Sequence, residues 1–347
     1  MENLGFTRPL SSARPDAVTD RHRGHPETPL VDTAAPMRFS GPLDQEIVAG
    51  YDALTTTYRL LYGAVAGSAL DPSATQHARL GSRLLTSPSI EHHRALAGSV
   101  CDACLLTARI RLFDTHDLPG ARAYLHHALA AAHAAEDEAR AAAVLAHSAL
   151  AAALPQPATF GQAPEELIRV ARTFAARCTE DVPLLLAWLD MAEADIKLRA
   201  GDPLAAAALV AHAERLCAEG TEPRWLDWLH PNQLATMKAD VLLSLGRDAE
   251  AVSVLQRITR SDVASPKHRA LAHADLAAIA AAQQDPQSAC GHLRDALDAL
   301  EGTWNAAVDA RIRQARNQLE PWDNSPDVCT LDQHLYTWTS ALGVTAQ

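Results

Sequence analysis

From Leu43 onward apolar residues recur at three- and four-residue steps, beginning with Ile47, Tyr51, Leu54, Tyr58, Leu61 and Tyr62. That spacing lays one apolar stripe along an α-helix. A second helix is predicted in "LDPSATQHARLGSRLL", with Asp71 as its N-cap and Pro72 at the first helical position, where a missing N–H costs nothing; Pro88 ends it. Further on, long helical stretches are cut by turns that repeat one another: "HDLPGARAYLHHAL" at 116, "GDPLAAAALVAHAERL" at 201, "GRDAEAVSVLQRI" at 246 and "QDPQSACGHLRDAL" at 284. In each, a polar turn residue stands four positions before an alanine: Asp117 and Ala121, Asp202 and Ala206, Arg247 and Ala251, Asp285 and Ala289. The alanine lets two helices approach closely, and the polar residue caps the second one. A weaker copy, "GQAPEELIRVARTFA" at 161, carries Glu166 in the alanine's place.

With that copy included, the turns recur every 38 to 45 residues. A single helix-turn-helix unit cannot bury its own stripe and must stack on the next, which predicts an all-α fold, an α-solenoid of about five or six helical hairpins over residues 44–319. Before it, residues 1–43 hold six prolines and few large apolar side chains, and they are expected to form a disordered arm with Phe6 and Phe39 as sticky points. After it, "EPWDNSPD" breaks the pattern. "LDQHLYTWTSAL" then places Leu331, Leu335, Trp338 and Leu342 on one face, so residues 320–347 are expected to cap the last repeat and end in a tail.

The turns resemble those of tetratricopeptide repeats, in the Gly-Asp pair and the alanine that follows it. Residues 51–85, "YDALTTTYRLLYGAVAGSALDPSATQHARLGSRLL", and 222–258, "EPRWLDWLHPNQLATMKADVLLSLGRDAEAVSVLQRI", are more particularly similar to the sensor region of a large actinobacterial family of transcriptional regulators. The resemblance covers roughly residues 45–318 and implies a right-handed solenoid. In that family a helix-turn-helix DNA-binding domain precedes the repeats. Such a domain needs about sixty ordered residues, and only the proline-studded arm stands before the repeats here. What the resemblance implies is a sensor or adaptor module without its own reader of DNA.

Composition narrows the functions this scaffold can serve. Hydrophobic residues are 48% of the chain and aromatics only 5%, a balance that suits close helix packing over a sandwich or barrel. A net charge of −12 without a basic stripe opposes direct contact with nucleic acid. Six scattered cysteines and the lack of a long apolar run predict a cytoplasmic protein with reduced thiols and no membrane partner. Its partners are expected to be a peptide, a protein segment or a small-molecule effector, with a homo-oligomer left open.

Candidate chemistry is sparse. There is no G-x-S-x-G elbow, P-loop, G-x-G-x-x-G or H-E-x-x-H motif, so no catalytic residue, cofactor or metal is expected. Cys101 and Cys104 have metal-type spacing but lie in a helical stretch, and the pairs His92–His93 and His126–His127 point their members in different directions. The richest segment is "RWLDWLHPNQLATMK". In it Trp225 and Trp228 precede His230 and Pro231, which open a helix with Asn232 in its first turn and Lys238 further on. Aromatic side chains beside the free amides of a helix start suit a ligand with an apolar body and a polar end; the competing reading has both tryptophans filling a gap between repeats. Trp188 approaches from the preceding first helix, and Arg109, Lys197 and His273 complete the residues that first helices offer to a concave groove. The expected function is therefore a regulatory adaptor or ligand sensor, with an enzyme or accessory binding protein of a biosynthetic pathway as the alternative on the same scaffold.

Overall fold

The computed structural model describes residues 44–63, 65–86, 92–154, 163–178, 182–219, 225–300 and 305–341. The proline-rich arm, Pro88, Arg224 and Leu342 lie outside the described residues. Among the described residues the fold is all-helical: α1 Gln45–Tyr62, α2 Gly67–Leu84, α3 His93–Arg109, α4 Leu118–Ala135, α5 Glu138–Ala153, α6 Pro164–Ala175 and α7 Pro183–Arg199 are followed by α8 Pro203–Glu219, α9 Pro231–Ser244, α10 Asp248–Thr259, α11 Pro266–Ala282, α12 Pro286–Leu300, α13 Ala306–Asn317 and α14 Pro326–Ala341. A π-helical turn, Ile110–Asp114, extends α3, and a short 3-10 turn, Glu320–Trp322, precedes α14.

The repeated turns have the predicted local structure. Asp117, Asp202 and Asp285 each accept a hydrogen bond at 3.0 Å from the backbone N–H three residues on, of Gly120, Ala205 and Ser288. This satisfies one of the amides a helix start leaves free. At the fourth turn Arg247 gives no side-chain cap. Gly246 there adopts φ +70°, as Gly201 adopts φ +80°, left-handed backbone that favours glycine. The alanines Ala121, Ala206, Ala251 and Ala289 are all fully buried, and α4, α8, α10 and α12 pack on the helices before them. Glu166 is instead exposed and paired with Arg169. Successive pairs then stack on one another, as α5 on α7 and α11 on α13.

Two local expectations are corrected. Helix α2 starts at Gly67, so Asp71 and Pro72 lie inside it. Leu70 and Ala74 bury against Leu106 and Ile110, which draws the helix upstream of its Asp-Pro signal, and Asp71 instead accepts from Arg111 at 3.1 Å. In α1 the buried face is Val48, Tyr51 and Thr55, while Ile47, Leu54 and Leu61 remain 40–44% exposed. Among the described residues α1 packs chiefly on α2 and α3, and this side of its stripe is left exposed. At the other end Leu331 is buried, and Leu335 and Trp338 pack on the α11–α13 core.

Candidate functional site

The segment Trp225–His230 enters α9 as turns and extended chain, and its side chains part to two sides. Trp228 is buried and meets Trp188 of α7 edge-on, with ring centroids 6.1 Å apart. His147 of α5 lies against both indoles, at 4.7 Å and 5.3 Å, and the Arg109 guanidinium sits 4.8 Å over the Trp228 ring. Trp225, half-buried, touches Trp228 at 6.0 Å and lies under the Arg140 guanidinium. Burial first, then the positive charge of Arg109, push the His147 imidazole down to about 3. It is therefore neutral at physiological pH and sealed from solvent, which leaves it no route for proton transfer to a substrate.

Around these rings runs a network of ion pairs between elements far apart in the chain. Arg59 of α1 donates to Asp227 at 2.8 Å, across 168 residues, and lies 3.7 Å from Asp102 of α3. Asp102, almost fully buried, accepts two bonds from Arg140 at 2.9 and 3.0 Å. Asp114, at the end of the π-helical turn, accepts from Lys267 of α11 and from Asn305, the N-cap of α13, both at 2.6 Å. Gly67 passes so close to Asp114 that a β-carbon there would strike the carboxylate. In a simple repeat array each unit touches only its neighbours. Here early and late helices are tied together directly by side chains.

The other side of the same segment lines a cleft of about 480 Å³. Leu184 of α7, Leu229, Leu234 of α9, and Val254 and Ile258 of α10 form its buried apolar surface. Glu214 of α8, Asn232, Lys238 and Arg257 supply polar groups. Lys238 donates to Glu214 at 2.7 Å, tying α9 to α8. Pro231 opens α9 without an N–H and His230 gives no side-chain cap. The Gln233 and Leu234 amides donate to the His230 carbonyl at 2.9 and 3.2 Å, so the Asn232 amide is what this helix end offers beside two cations and one carboxylate. Burial, and then Glu214, raise the Cys217 thiol above its ordinary range, which leaves it a poor nucleophile.

The residues predicted from sequence therefore separate. Trp188 and Trp228 stand in the core, Trp225 is half-buried beside them, and His230 is exposed. Asn232 and Lys238 line the cleft. Arg109 belongs to the aromatic cluster, and Lys197 is half-buried on α7. Asp227, His147, Arg140 and Arg257 were missed. Asp227 stands within the segment singled out, but its partners come from α1 and α3, which no local pattern links to it. Cys101 and Cys104 are buried in α3, and burial pushes the Cys104 thiol up to about 12. Among the described residues one group has metal-ligand character, His273, His292 and Asp295 on α11 and α12, apart from the cleft.

The chain has no significant match to any protein-family model, curated protein or solved structure. No helix among the described residues is long and apolar enough to cross a membrane.

Proposed function

We propose that this chain is a regulatory adaptor or sensor of tetratricopeptide type, and that its ligand occupies the cleft formed by α7–α10 rather than a continuous concave groove. The observation that carries this reading is the pairing of a buried apolar surface with Lys238, Arg257 and the uncapped start of α9 in one cavity. Such a site suits an occupant with an apolar body and an anionic end, either a small carboxylic acid or the terminus or acidic side chain of a peptide. Binding is read through Trp225–His230. One side of that segment forms the cleft, and the other holds Trp228 and Asp227 against Arg109 and Arg59. A ligand that favours one setting of the segment thereby biases the contacts between early and late helices. In this reading any DNA contact the regulated process needs is made by a partner, which the net charge of −12 supports.

The test uses decanoate and 4-phenylbutyrate, each against its uncharged primary amide, with thermal denaturation of the full chain as readout. The carboxylates are expected to raise Tm more than the amides, and the Lys238→Ala/Arg257→Ala double variant to lose that difference while keeping its helical circular dichroism. Equal shifts for acid and amide, or a difference that survives in the double variant, would remove the anionic half of the reading.

A further inference from the structure

His273 on α11 and His292 and Asp295 on α12 stand side by side because of where they lie about the turn between these helices. His273 and Asp295 are each eleven residues from Gln284, which adopts the left-handed conformation, φ 63°, between α11 and α12. Two packed helices joined there run back along one another at equal rise, so positions equidistant from the turn become neighbours. His292 is three residues before Asp295, on the same face of α12.

The distances are those of a ligand set. His273 Nδ1 is 3.4 Å from His292 Nδ1, and Asp295 Oδ2 is 3.6 Å and 3.9 Å from the two nitrogens. Donors about 2.0–2.1 Å from one tetrahedral ion are about 3.3–3.4 Å apart, whereas the adjacent donors of an octahedral ion of that size are about 2.9 Å apart. The histidine edge already fits the tetrahedral case. Asp295 is exposed and needs to move inward by only a few tenths of an ångström. Two Nδ1 atoms that face one another also need a positive centre between their lone pairs, supplied by a proton on one ring or by a cation.

We propose that His273, His292 and Asp295 form a binding site for a first-row divalent cation of the zinc class, which staples α11 to α12 and keeps one coordination position open to water or to a donor from a partner. Nitrogen donors and tetrahedral spacing favour zinc, cobalt(II) or nickel(II) over magnesium or calcium. The ligand state is in place as well. Burial holds both imidazoles below their ordinary pKa; at His273 the Asp295 carboxylate opposes this, and His292 and Arg269 add to it. Both rings are therefore neutral near pH 7, as ligands must be.

The experiment takes the untagged full chain, stripped with a chelator, and titrates it with Zn²⁺ and Co²⁺ in competition with a chromophoric chelator. One tight equivalent is expected, with Co²⁺ giving the intense visible absorption of a tetrahedral site and Mg²⁺ not competing. His273→Ala, His292→Ala and Asp295→Asn should each weaken that equivalent by at least about tenfold, and His126→Ala should leave it unchanged. Circular dichroism checks the fold of each variant. His292 and Asp295 are the more exposed pair, so their variants carry the test if His273→Ala unfolds. Absence of the tight equivalent from the parent, or its survival in folded His292→Ala and Asp295→Asn, overturns the site.

Discussion

Two buried carboxylates, one among the early helices and one among the late, are met by different numbers of guanidiniums. Asp102, among the early helices, has two guanidiniums around it: Arg140 with a bidentate pair of bonds and Arg59 at 3.7 Å. Asp275 of α11 shares a single guanidinium, Arg311, with a second carboxylate, Asp240 of α9. The two guanidiniums within reach of Asp102 are themselves also paired with Asp137 and Asp227, whereas Asp275 and Asp240 divide one. Burial pushes the Asp275 carboxyl up to about 6, with Arg311 opposing and Asp240 reinforcing the shift, and its Oδ2 has no hydrogen-bond partner among the described residues. Around Asp102 burial likewise raises the acid above its ordinary range, with Arg140 and Arg59 opposing the shift and Asp137 adding to it. Arg140 itself is lowered by burial and raised more by Asp102 and Asp137, for a net upward shift. Both acids are raised by burial; they differ in that Asp102 has two guanidiniums within reach, whereas Asp275 and Asp240 share one and Asp275 keeps an oxygen with no hydrogen-bond partner among the described residues.

The sharpest way to break this contrast is Asp102→Ala. It strands the half-buried Arg140 and the nearly buried Arg59 beside a cavity, and losing one partner of a buried ion pair costs about 3–5 kcal/mol. Arg140 retains Asp137 at 2.5 Å and Arg59 retains Asp227, so the expected loss lies at the lower end, about 3 kcal/mol. Urea denaturation followed by circular dichroism measures it. A loss below about 1 kcal/mol would mean that the joint between α3, α5 and the Trp225–His230 segment rests on packing rather than charge.

The turns supply the local counterpart, and they are also what the sequence made legible. Asp117, Asp202 and Asp285 cap, and their four-later alanines vanish into helix pairs, because both roles are settled within a few residues of one turn. The start of α2 was misread for a complementary reason: Asp71 and Pro72 make a good local start signal, and the burial of Leu70 against Ile110, forty residues on, outweighs it. The fate of the tryptophans was still less legible. Their rings are enclosed by His147 and Arg109 from α5 and α3, and no spacing near residue 225 announces those partners. Asn232 and Lys238 could be placed in a cleft because the helix start that exposes them was visible in His230-Pro231. Ala206→Leu measures the local term against the network. Ala206 is fully buried in a helix that packs on α7, and overpacking of this kind costs about 1–3 kcal/mol. A loss near 2 kcal/mol in urea would set the turn packing below the Asp102 joint, and a loss equal to that of Asp102→Ala would erase the distinction.

The smallest expected effect isolates the protonation of Asp275. Its folded pKa, about 6, lies above the unfolded value of 3.8, so as pH falls the folded chain binds this proton first. The stability it adds is fully present below the unfolded pKa, and is lost as pH rises through about 6. Total stability will not show this directly, because burial lowers His77 and His268 to about 4 and His147 to about 3. Those groups act with the opposite sign, so their contribution is present above the unfolded histidine pKa and is lost as pH falls toward 4 and below. The measurement is therefore a difference, the parent minus Asp275→Asn, with the histidine terms common to both. Between pH 7 and pH 5 the parent should gain about 1 kcal/mol on the variant, read as a converging or crossing pair of urea midpoints. Parallel midpoints over that range would mean that Asp275 stays ionised beside Arg311 and takes up no proton between pH 7 and pH 5.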